Sequence, residues 1–139
     1  MAEYLFANAA TTSTASELPL FKEYAWDFDN DCFIYDSNGN HILLEGNEAI
    51  KVWCYKALKT ERFMYLAYTH GFGIELYPFM AKVMGIMQRK SELKRIVTEA
   101  LMVNPYIVSV DSISFDENNR NEEMDIRIAM TTVYGELVI

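Results

Sequence analysis

The chain has 139 residues, 51% of them hydrophobic and 14% aromatic. That length favours one domain, and the apolar content is enough for a sizeable core. With 12 Lys and Arg against 20 Asp and Glu, the net charge is −8, which argues against a nucleic-acid or anionic-membrane surface, since either needs a basic face.

No apolar run approaches the roughly 20 residues of a membrane span. Met1 to Phe6 contains Glu3 and lacks a basic start, so no signal peptide is expected. Two cysteines, Cys32 and Cys54, make no disulfide framework. These features describe a reduced, cytosolic, acidic globular protein.

Residues 1–22 are rich in Ala, Thr and Ser and have no apolar periodicity. They read as an arm, either frayed or ordered on a partner, ahead of a domain over residues 23–139. Residues 23–28 and 32–35 read as short aromatic strands. Asn38-Gly39 is a strong hairpin signal, and residues 41–44 return as a strand. Asp27, Asp29 and Asp31 have the spacing that opens a calcium loop. Cys32 and Asn38 stand where that loop needs Gly and a bidentate Glu. A solvated acidic turn is the better reading.

Residues 46–73 organise the chain. Ile50, Trp53, Cys54, Ala57 and Leu58 fall at helical spacing, with Asn47 as the expected N-cap. Thr60-Glu61-Arg62 makes a polar elbow, residues 63–67 read as a strand, and Gly71-Phe72-Gly73 forms a turn. Arg62 is either a solvated surface residue or a tie. As a tie, its planar fork would lock the glycine turn against the helix end. Glu61, Arg62, Gly71 and Gly73 are the candidate residues of that lock.

Pro78 suits the first turn of a short helix. Residues 79–87 are apolar nearly all round, which fits either a buried helix or a face kept for a partner. Met80, Met84 and Met87 are its candidate contact residues. Ser91 is the expected cap of the next helix, over residues 91–102. There Leu93, Ile96, Val97, Ala100 and Leu101 give the cleanest periodicity. Asn104-Pro105 stops it. Residues 106–115 read as a strand with a phase slip near Val110 to Ser112, and residues 117–121 as a polar turn. Met124, Ile126, Ile128, Met130, Thr132 and Tyr134 then alternate as a long half-buried strand. Leu137-Val138-Ile139 reads as a bare apolar end. The order implies an α+β domain. Its sheet is mostly antiparallel, two amphipathic helices lie on one face, and a hairpin closes the chain.

The helix ending in Thr60-Glu61-Arg62-Phe63, followed by Tyr68 to Gly73 and Ile74-Glu75-Leu76, resembles the baseplate wedge, or sheath-initiator, family of contractile phage tails. The likeness is nearest to its branch in Gram-positive prophages and phage-tail-like bacteriocins. The helix before Asn104-Pro105 and the strand after it extend the likeness over residues 23–134. The resemblance implies a structural subunit, present in several copies around the tail axis. It would bridge wedge subunits to the first sheath ring by strand augmentation, with the tail tube or hub as a further partner. It also implies assembly in the host cytoplasm, then residence in the particle's baseplate. Asn104, Pro105 and Tyr106 replace the family's Glu-Pro-Arg signature, so the charged wedge contacts of that signature do not transfer. With Leu137, Val138 and Ile139 they complete the candidate partner interface.

No cofactor or metal motif appears, and His41 and His70 have no ligand-spaced neighbours. Glu61 and Glu75 are the best candidates for the paired carboxylates of a lysozyme-like hydrolase. The rival to the tail reading is a small acidic binding module or such a hydrolase.

Overall fold

The computed structural model describes residues 17–118 and 123–139. Most of the predicted arm, residues 1–16, lies outside them. The chain forms an α+β domain with three small antiparallel sheets in place of the single one expected. β1 (Lys22–Tyr24) pairs with β4 (Leu43–Glu45), and β2 (Trp26–Asp27) pairs with β3 (Cys32–Phe33). Ala25 separates β1 from β2. Its N–H donates to Ile42 O at 2.8 Å and its carbonyl accepts from Ile34 N at 3.1 Å. Gly39 turns the chain back at φ +81°, and Asp36 accepts the N–H groups of Asn38 and Asn40.

α1 (Asn47–Lys59) buries Ala49, Ile50, Val52, Cys54 and Ala57. Trp53 and Leu58, expected in its apolar stripe, are only partly buried against the core. Asn47 is not the N-cap. Gly46 holds that place at φ +65° with no side-chain cap, and the Asn47 side chain reaches away from the helix. Residues 63–67 form no strand. They turn, with Phe63 at φ +68°, and Phe63, Met64, Tyr65 and Leu66 are exposed. Strand-forming side chains need a partner strand and a face to bury, and here they have neither.

α2 (Tyr77–Met80) has Pro78 in its first turn. α3 (Ile86–Met102) begins at Ile86 rather than at Ser91. Gly85, extended at φ −64° and ψ 157°, opens it, and Ser91 is an exposed residue within the helix. The apolar run of residues 79–87 is therefore split between two helices. α3 buries Ile96, Val97, Ala100 and Leu101. It ends at Met102, where buried Asn104 donates to Leu101 O and accepts the Tyr106 N–H at 3.0 Å.

β5 (Ile107–Asn118), β6 (Glu123–Thr132) and β7 (Gly135–Val138) form one sheet in that order. Its register shifts between Ile107 and Ser109 and between Val110 and Ser112, the second where the phase slip was read. The predicted turn of residues 117–121 starts two residues too early, since Glu117 and Asn118 belong to β5; its remainder lies outside the described residues. Ile113, Ile128 and Met130 point to the helices and join Ile50, Cys54, Val97 and Leu101 in one core.

Candidate functional site

Two features stand apart from ordinary core packing. The first is the elbow after α1. Thr60 O accepts the Ile74 N–H at 2.9 Å, and Ile74 O accepts the Arg62 N–H at 2.9 Å. Residues 63–72 thus leave and return through one narrow crossing. Arg62 clamps it: Nε and Nη2 donate to Gly73 O at 3.2 and 3.1 Å. Nη1 meets Glu99 at 3.3 Å and Glu75 at 3.6 Å. Only 9% of the Arg62 side chain is exposed. Glu61 does not pair with Arg62. Its two oxygens accept the N–H groups of Leu76 and Tyr77 at 3.0 and 3.1 Å, capping the start of α2. Gly73 sits at φ +103°, and a Cβ there would lie 2.6 Å from Thr60 O. Gly71 has no positive φ and open space around it, so the crossing does not require a glycine there.

This arrangement commits both hydrolase candidates. Glu61 holds backbone, and Glu75 faces a guanidinium. The acidic run of β2–β3 is committed as well. Asp27 accepts from the Asn30 side chain and from the N–H groups of Asn30 and Asp29, which hold its carboxyl below the usual range. Asp31 is held low in the same direction by Lys59 and the Tyr55 hydroxyl. Cys54 is buried, and desolvation pushes its thiol up to about 12.

The second feature is the outer edge of the C-terminal sheet. Leu137-Val138-Ile139 is not a bare end. Leu137 pairs with Met130, and Ile139 exchanges two bonds with Ile128 at 2.8 and 2.9 Å. Alternation sends Leu137 and Ile139 to the core and leaves Val138 55% exposed. β7 is one edge strand of this sheet and β5 the other. Since Ile139 and Leu137 bond to β6, Glu136 and Val138 direct their backbone groups outward. Asn47 Nδ2 donates to Glu136 O at 3.2 Å, and Thr132 donates to Asn47 Oδ1. Sequence reasoning assigned Asn47 to its own helix and missed this tie. Beside the free Val138 edge lies an apolar groove of about 370 Å³, lined by Phe28, Tyr55, Leu58, Ile126 and Ile139 among others.

The other candidate contact residues divide. Met80 and Met87 are exposed, whereas Met84 is half-buried against the core. Asn104 and Tyr106 are buried, which leaves Pro105 as the exposed member of that trio. Tyr106 packs edge-on to Phe21 at 4.8 Å and donates its hydroxyl to Pro19 O at 2.7 Å. Phe21 N–H in turn donates to the Tyr134 hydroxyl at 2.8 Å. Residues 19–21, read as the end of an arm, thus touch the domain.

The chain is 29% identical over 117 residues to the phage-like element PBSX protein XkdS of Bacillus subtilis (strain 168), covering 84% of this chain and 77% of that protein. The profile of the contractile injection system sheath initiators matches residues 22–135. With the match running from β1 to the start of β7, the chain belongs to the contractile injection system sheath initiator family.

Proposed function

We propose that this protein is a non-catalytic baseplate subunit that takes a strand from the first sheath ring onto the outer edge of β7. One observation carries the reading. Val138 presents an outward N–H and C=O with no partner among the described residues, beside an apolar groove. Main-chain pairing would give affinity, and the groove of Phe28, Tyr55 and Leu58 would take alternate side chains of the incoming strand. Neither Lys nor Pro guards this edge in residues 135–139. Wedge subunits, and tube or hub, would hold several copies around the tail axis after assembly in the host cytoplasm. The family's structural role and the commitment of Glu61 and Glu75 to backbone and Arg62 support a protein without hydrolase activity.

Val138→Pro tests this reading, because it removes an outward donor and no bond to β6. Val138→Thr is the control. Folded Val138→Pro protein, checked by circular dichroism, should enter baseplates that fail to start sheath. Normal sheath on those baseplates would overturn the proposal.

A further inference from the structure

Residues 80–95 carry an apolar surface away from the sheet edge, and only Lys82, Glu92 and Arg95 of this stretch border the elbow. Met80, Val83, Ile86 and Met87 are exposed, Met87 at 78%. The core already has what it takes from this stretch and its flanks, in buried Phe79 and Ile96 and half-buried Met84 and Leu93. α3 turns Ile96 and Val97 inward, while its first turn holds Ile86 and Met87 out to solvent. Adjacent exposed apolar side chains of this size mark a contact face, and Met adapts to a range of partner shapes.

The charge around this face is opposite to that of the chain. Within residues 80–95, Lys82, Arg89, Lys90, Lys94 and Arg95 outnumber Glu92, in a protein of net charge −8; on the side towards Arg62, Glu75 and Glu99 join Glu92 around Lys82 and Arg95. Arg95 is neutralised by Glu92 at 2.6 Å and Glu99 at 3.0 Å. Lys82, Arg89 and Lys94 have no carboxylate within ion-pair distance among the described residues. Arg89 lies over the Phe79 ring at 5.6 Å, and Lys94 over Phe115 at 5.7 Å. Helical spacing sets Lys90 and Lys94 on the same side as Met87, and Arg89 beside Ile86. The first turn of α3 has no acidic residue and Gly85 gives no side-chain cap, so the helix's positive end adds to the field.

We propose that this face docks an acidic amphipathic helix of a partner protein. The partner's apolar stripe would pack on Met80, Val83, Ile86 and Met87, and its flanking carboxylates would meet Lys82, Arg89 and Lys94. An anionic membrane offers similar chemistry, but an extended lipid surface faces more of a chain of net charge −8 than a short acidic helix does, which meets the local basic face alone. The proposal uses no residue of the β7 edge and stands apart from strand docking.

The test titrates the full chain into a fluorescent peptide of about 18 residues, with Leu at helical spacing and Glu on the flanks. Its controls are a scramble of the same composition, a version with Lys for Glu, and phosphatidylglycerol vesicles. The acidic helix should bind at least about tenfold tighter than either peptide control, and weaken several-fold on raising salt from about 50 to about 300 mM. Val83→Glu with Met87→Glu should abolish binding with thermal unfolding unchanged, because these side chains are exposed; Lys82→Glu with Arg89→Glu should also abolish it, with a small loss of stability as Arg89 leaves the Phe79 ring. Equal binding of the scramble, tighter binding of the vesicles, or wild-type affinity in the variants would overturn the proposal.

Discussion

Arg62 and Gly73 hold one another by two separate means. The Arg62 guanidinium gives two hydrogen bonds to the Gly73 carbonyl. The Gly73 backbone, lacking a Cβ, lies close enough to Thr60 and Arg62 for the chain to cross. The loop of residues 63–72 is therefore gathered at its neck, and its exposed aromatic residues are presented by a fixed base.

Gly73→Ala should destabilise the domain by about 2–3 kcal/mol, because a positive φ and a blocked Cβ act together. Gly71→Ala, in open space at ordinary φ, should stay within about 0.5 kcal/mol of the parent. Denaturant midpoints of the two variants decide it; equal midpoints would show that the crossing relaxes freely.

Arg62→Ala should cost about 1.5–3 kcal/mol, the range for hydrogen bonds to a charged group. Arg62→Lys should recover little of this. An ammonium can face Glu99 or reach Gly73 O, but it has no planar fork to do both. A lysine variant with the parent's midpoint would show that charge alone holds the crossing.

The two thiols should differ sharply. Cys32 is exposed, while Cys54 is buried with its thiol pushed up to about 12. A disulfide reagent at pH 8 should label Cys32 in the native protein and both residues in denaturant, since the thiolate is the reactive form. Rapid labelling of Cys54 without denaturant would reveal opening of α1 from the core.

Local patterns were legible where one residue type had one use. The spacing of Leu93, Ile96, Val97, Ala100 and Leu101 places α3 because all five face the core. The alternation from Ile126 to Thr132 places β6, and Asn38-Gly39 places its turn. The misses share a cause in long-range contact. Asn47 has the composition of a cap, yet it binds Glu136, 89 positions away. Residues 63–67 have strand-like side chains and no neighbouring strand. The start of α3 is capped by a glycine, which leaves no side-chain signal, and its exposed Ile86 and Met87 look like core in sequence. Arg62 was visible as a candidate tie, but Glu99 lies 37 positions on and nothing local marks it as a partner.

Acid should loosen the N-terminal strands first. Asp27, Asp31 and Asp36 all have carboxyls held below the ordinary range, by the Asn30 side chain, by Lys59 and by the Asn40 N–H respectively. A carboxylate whose folded pKa is depressed contributes stability above its unfolded value of about 3.9 and loses it as pH falls through the folded value. Lys59 works in the opposite sense. Tyr55 and Asp31 raise its pKa, so its share is complete below the unfolded value of about 10.4 and fades as pH rises through the folded one. Unfolding midpoints should therefore be level through the neutral range and decline below about pH 4. Exposure to water keeps each contribution modest. Asp31→Asn separates these groups from general acid effects. It removes the Lys59 partner, so it should flatten part of the acid decline and lower the neutral plateau slightly. The same substitution should speed amide exchange at Cys32, which pairs with Asp27, since the Tyr55 hydroxyl holds the turn between β2 and β3 at Phe28 O and Asp31. A parent-like acid limb in Asp31→Asn would show that the Tyr55–Asp31–Lys59 chain carries none of the pH dependence.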